Sequence, residues 1–265
     1  MGQPIPTPPL PLKRLAMTLE DWLACLGDPD TLSLELSIFS DRKLHLLTAA
    51  LLRRVWDRLP ARHSQLAVEA TEQFADGAIS VDALAWVRSQ AARESGETVW
   101  FGEESFNDYE LINPCPCCSP CDAQAFRYEC RVAKQGGVLD GVRRGTKDPA
   151  LIAMSAALDT VRLENPDTAW NDVVARRWNW QSLFATVREV LGENEPDPNW
   201  SCWRTSDVLA LACGIYEERA FDRLPILADA LQDAGCDDEN VLWHCRRPGG
   251  HARGCWVVDL AMGVA

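Results

Sequence analysis

Apolar residues recur at three- and four-residue spacing along most of this chain, the period of helices with one buried face. After Ser40 or Asp41, either able to cap a helix, Leu44, Leu47, Leu51, Val55 and Leu59 form such a stripe, which Pro60 ends. A further helix runs to Asp76-Gly77 with Leu66, Ala70 and Phe74 inward, and Ser80 caps another through Leu84 and Val87. Upstream, Thr18 with Asp21 three residues on predicts a short helix bearing Trp22, Leu23 and Leu26, closed by Gly27-Asp28-Pro29. Helical period returns at Asp148-Pro149 through Ile152, Ala156 and Val161, and again as Trp180, Leu183, Val187 and Leu191. After a Pro-containing linker at 193–199, Thr205 or Ser206 caps a helix with Leu209, Ala212 and Tyr216, and three shorter helices follow.

Two stretches break this rhythm. Residues 1–16 hold Pro4, Pro6, Pro8, Pro9 and Pro11, which remove donors and fix φ, so an extended flexible tail is expected. Residues 95–147 are interrupted by Gly96, Gly102, Pro114, Pro116, Pro120 and four further glycines, and read as an irregular Cys-rich insertion. The expected architecture is therefore an all-α, multi-helix globular domain over 17–265. N-terminal helices (17–94) and C-terminal helices (148–265) flank the insertion, with roughly ten helices in all.

The 265 residues are 47% hydrophobic, ample for a core, yet no apolar run reaches the length of a membrane span or a secretory signal. A cytoplasmic protein without membrane association is expected. The net charge of −13 argues against nucleic acid as a partner, because that affinity comes from clustered Lys and Arg. Arg53-Arg54, Arg143-Arg144, Arg176-Arg177 and Arg246-Arg247 are separated pairs suited to solvated faces beside Asp and Glu. Eleven cysteines is an odd count, and a chain of this size needs no disulfide framework, so reduced thiols or metal thiolates are expected.

The C-terminal block IYEERAFDRLPILADALQDAGCDDENVLWHCRRPGGHARGCWVVDLAMG resembles a group of paralogous bacterial all-α proteins with no assigned activity. MTLEDWLACLGDP, SDRKLHLLTAALLRRVWDRL and EQFADG resemble the same group, while the Cys-rich middle does not. The resemblance implies an all-α fold and a cytoplasmic bacterial protein, and it carries no catalytic residue.

The sharpest chemical signal is Cys115, Cys117, Cys118 and Cys121 within one short proline-stiffened segment. Cys118-x-x-Cys121 has the spacing of half a zinc site, since two intervening residues let both sulfurs turn toward one ion. The other half would come from Cys130, Cys236 or His244. A thiol-redox pair at Cys118 and Cys121 is the alternative, and a surface loop without chemistry the plainer reading. Near the C-terminus His251 and Cys255 stand four apart at the expected start of the last helix. They can chelate an ion or form a thiol–imidazole pair, although Trp256, Val257 and Leu260 make Cys255 a natural core residue and His251 a loop residue bonded to carbonyls. Cys236 is expected to pack behind Gly235 with Asp237 capping the next helix, which holds His244, Val241 and Leu242. Asp259, between apolar neighbours, is expected to bond an Arg or a cap. No phosphate loop, serine elbow or HExxH pattern occurs. The expected function is a non-enzymatic helical protein-interaction scaffold, the alternative a zinc-binding or thiol-redox protein using the Cys115–Cys121 cluster.

Overall fold

A computed structural model describes residues 36, 38–59, 62–94, 100–101, 104–105, 164, 177–192 and 200–264. Its described part is all-α: nine α-helices, with strands of only two residues each at β1 (Trp100–Phe101) and β2 (Glu104–Ser105), paired antiparallel. The proline-rich tail, the first expected helix, the helix expected from Asp148 to Val161 and Cys115–Cys121 lie outside the described residues. No helix among the described residues is long and apolar enough to cross a membrane.

The chain divides into two compact units. The N-terminal unit takes the described residues up to Leu191 together with Gly250–Cys255; the C-terminal unit takes Gly192–Gly249 and residues 256–264.

In the N-terminal unit, Ser40 caps α1 (Asp41–Arg53) by accepting a hydrogen bond from the Lys43 amide, which satisfies one of the four donors a helix start leaves open. A single apolar stripe was the expectation, but every residue from Lys43 to Leu51 is buried. A helix buried on all sides belongs in a core, and α1 is the core here, packed on α2 (Arg62–Ala75) and α4 (Arg177–Leu191), with α3 (Val81–Glu94) on α2. Leu44, Leu46, Leu47 and Leu51 are almost wholly buried, each worth roughly 1.5–3 kcal/mol of apolar transfer. The α-helix stops at Arg53, short of Pro60, and the chain continues as a 3-10 turn at Trp56–Arg58.

Side chains displaced from the expected stripe tie the helices together. On α2 the inward positions are His63, Val68, Ala70, Thr71 and Glu72, whereas Leu66 and Phe74 are half-buried. Glu72 is inward because Arg53 of α1 grips it with two hydrogen bonds, Nε to Oε1 at 3.0 Å and a second nitrogen to Oε2 at 2.8 Å, while stacking over Trp56. Arg54 bonds the Ser182 carbonyl and hydroxyl and Thr186 of α4, and pairs with Glu164 at 2.8 Å. The Arg53-Arg54 pair is thus a cross-helix fastening, with acids as its partners but not on a freely solvated face.

In the C-terminal unit α5 (Trp200–Trp203) precedes α6 (Ser206–Glu218), which Thr205 caps through the Val208 amide. Ala212 and Tyr216 face inward as expected, together with Val208 and Ile215, whereas Leu209 faces outward. The three shorter helices are α7 (Leu224–Asp233), α8 (Glu239–Arg246) and α9 (Trp256–Met262). α6 packs on α7 and α9, and α8 on both α7 and α9. Gly235, at φ +94, ends α7 in the left-handed conformation that favours glycine, and Cys236 is buried directly behind it. The cap of α8 is Asp238, not Asp237: its carboxylate accepts from the Asn240 and Val241 amides, a reach that requires it to stand immediately before the first turn.

Candidate metal centre

The described residue that sequence reasoning missed is Glu189. Among the described side chains of α4, Ser182, Ala185 and Arg188 keep an exposed line; the flanks on both sides are buried, and Glu189 falls within one of them at 0% exposure. An acid between Val187 and Val190, on the flank away from the exposed Arg188, was the available signal. It becomes readable only when the helix is known to be covered on two sides.

Glu189 is met there by the loop Gly250–Cys255 of the same unit. His251 and Cys255 are not on a helix, as expected from their spacing of four, because α9 starts one residue later, at Trp256. A turn brings them together instead, with Gly249 and Gly250 both at positive φ. His251 Nδ1 lies 3.0 Å from Glu189 Oε1, with the histidine side chain 5% and the glutamate 0% exposed. One donor atom each from Glu189, His251 and Cys255 lies within 4.8 Å of the others, and Cys255 is fully buried.

The loop is held by a buried ammonium. Lys43 of α1 donates to the carbonyls of Val190 and Gly254, both at 2.9 Å. These two residues stand next in sequence to Glu189 and Cys255, so one lysine fixes the backbone beside two of the three donors. Gly254 has φ +88, and a Cβ there would come 2.9 Å from Leu46 Cβ and 3.2 Å from Val190 Cγ1. The residue must be glycine for the loop to approach α1 and α4 this closely.

Carboxylate, imidazole and thiol form a mixed O, N, S set suited to a borderline-soft divalent ion. Two ligands at about 2.0–2.1 Å from a tetrahedral ion are about 3.3 Å apart, so the Nδ1–Oε1 separation suits a shared ion as well as a shared proton. The charges also close: a divalent cation with one carboxylate and one thiolate is neutral, which limits the desolvation cost of a dry site. The group can therefore hold a metal ion.

His244 lies in the C-terminal unit on α8, where its Nδ1 accepts the indole N–H of Trp256 at 3.0 Å, both residues being buried. That bond gives His244 Nδ1 a partner within its own unit. Cys236 and Cys245 are buried in the same unit, and all five described cysteines are thiols. Asp259 is fully buried on α9. Cys115, Cys117, Cys118 and Cys121 lie outside the described residues. No protein-family model, curated protein or solved structure matches the chain.

Proposed function

We propose that this is a non-enzymatic helical interaction scaffold of the paralogous bacterial group it resembles, whose N-terminal unit is fastened by a structural zinc ion at Glu189, His251 and Cys255. The observation that carries the metal reading is the approach of an O, N, S donor set, with Glu189 and Cys255 fully buried, whose members come from segments far apart in sequence. Catalytic zinc keeps a position open to substrate, whereas Glu189 and Cys255 present no surface to solvent. An ion here joins the end of α4 to the Gly250–Cys255 loop, and its binding free energy becomes folding free energy. The scaffold reading draws support from Trp243 and Ile226 on the C-terminal unit, 64% and 56% exposed, residues of the kind that anchor protein interfaces.

Cobalt substitution tests the metal. The full chain loaded with Co²⁺ is expected to show a thiolate-to-cobalt charge-transfer band, lost in Cys255→Ser and weakened in Glu189→Gln, with one ion per chain. A band that survives Cys255→Ser and disappears in Cys118→Ser/Cys121→Ser would move the site to the cysteine cluster. Absence of any bound ion in the wild type would remove the metal from the proposal and leave the scaffold. Photo-crosslinking from position 243 tests that remaining part, a discrete adduct in cell extract being expected and none being the contrary result.

A further inference from the structure

The three donors of the candidate metal centre stand where the chain passes between its two units. Among the described residues it does so three times, from Leu191 to Gly192, from Gly249 to Gly250 and from Cys255 to Trp256. Glu189 lies two residues before Leu191, His251 directly follows Gly250, and Cys255 is itself the last residue before the third passage. The long stretch Gly192–Gly249 of the C-terminal unit is therefore enclosed between Glu189 and His251, which are 62 positions apart.

The folded chain already brings the ends of that stretch together. In the N-terminal unit Lys43 joins the carbonyls of Val190 and Gly254, and in the C-terminal unit a Cβ on Gly192 would lie 3.6 Å from Trp256 Cβ. The strap that closes the loop, Gly250–Cys255, has little apolar surface of its own to hold it, because within it only Gly254 and Cys255 are buried. Its other fastenings are polar: the Lys43 bond, the contact of His251 with Glu189, and a partly exposed pair of Arg253 with Asp76 at 3.5 Å. A segment with so few buried apolar contacts opens at low cost, and an opened strap leaves the loop unclosed.

Resting on the zinc reading above, we propose that the ion stabilises the C-terminal unit through the chain itself, by tying together the two ends of the loop that this unit forms. Glu189, His251 and Cys255 all belong to the N-terminal unit, so the effect travels by connectivity. Cross-linking the ends of a loop removes conformations from the unfolded chain, and a longer loop loses more of them. The folded unit meets the same constraint at no cost, since its ends are already adjacent. Zinc thus acts on this unit as a disulfide at its base would, but reversibly. The stability of the surface that carries Trp243 and Ile226 thereby answers to zinc supply.

Native-state hydrogen exchange of the full chain, zinc-loaded and chelated, tests this, with metal content measured on the same samples. The loaded protein is expected to hold one ion. The amides of Ala212, Ile215 and Leu227, buried in the C-terminal unit, are expected to exchange about a hundredfold more slowly than after chelation, the scale set by closing a loop of this length. Glu189→Gln/Cys255→Ser should exchange at the chelated rate with or without zinc, whereas Asp76→Asn, which loosens the strap without removing a ligand, should keep the zinc effect. Should the double variant fail to fold, the loaded and chelated wild type carry the comparison. One bound ion with slowing confined to the N-terminal unit would overturn the proposal and leave the zinc reading standing; a chain that binds no zinc would overturn both.

Discussion

Lys43 Nζ donates at 2.9 Å to the carbonyl of Gly254, a residue 211 positions further along the chain. With its second bond, to Val190, it places a formal positive charge in the interior on two backbone acceptors. Both carbonyls lose a partner when the ammonium is removed, and burial makes each loss expensive. Lys43→Met is therefore expected to destabilise the fold by about 2–5 kcal/mol. Urea denaturation checks this; a change within about 0.5 kcal/mol, the range of ordinary surface substitutions, would show that the clip holds nothing.

Gly254→Ala acts on the same loop from the other side. The new methyl meets Leu46 and Val190 at sub-contact distance while the backbone is held at φ +88. Strain and overpacking together should cost about 2–4 kcal/mol. Gly77→Ala, where a Cβ meets nothing within 4 Å, shares the positive φ and serves as the control for strain alone.

His45 makes stability depend on pH. Its folded-state value of about 4 lies below the ordinary 6.5, so between these values the unfolded chain binds more protons than the folded one. Stability is complete above about pH 6.5 and falls as the pH drops toward 4, by an amount of the order of 3 kcal/mol. Unfolding measured across pH 4–7 in wild type and His45→Phe should show this component in the first and not in the second. Parallel curves would contradict it.

Trp256 and His244 can be separated by a double-mutant cycle. Trp256→Phe strands His244 Nδ1 in the core, a loss of about 1–3 kcal/mol before any cavity cost. Combined with His244→Phe, the second change should cost less than it does alone, because no polar atom is then left without its partner. Strict additivity would mean the hydrogen bond contributes nothing.

Much of the fold was legible in the sequence. Ser40 and Thr205 cap the helices they were expected to cap, the Leu183–Val187–Leu191 stripe of α4 is buried, and three short helices follow α6. Caps and apolar period act within a turn or two of chain, so they can be read residue by residue. Which face wins is less local. α1 is buried on every side, and α6 turns Val208 inward instead of Leu209, because the neighbours that cover a helix come from distant segments.

The candidate site shows the division most plainly. Sequence alone singled out His251 and Cys255 and the short distance between them, together with the helical character of the segment that carries Glu189. Only the tertiary structure put that glutamate, 62 positions upstream, against His251 Nδ1, and put Lys43 on the carbonyls of Val190 and Gly254, next to Glu189 and Cys255. The reason is physical: local sequence sets backbone dihedrals, whereas the company kept by a buried charge is decided when the whole chain excludes water and each desolvated group must find a partner.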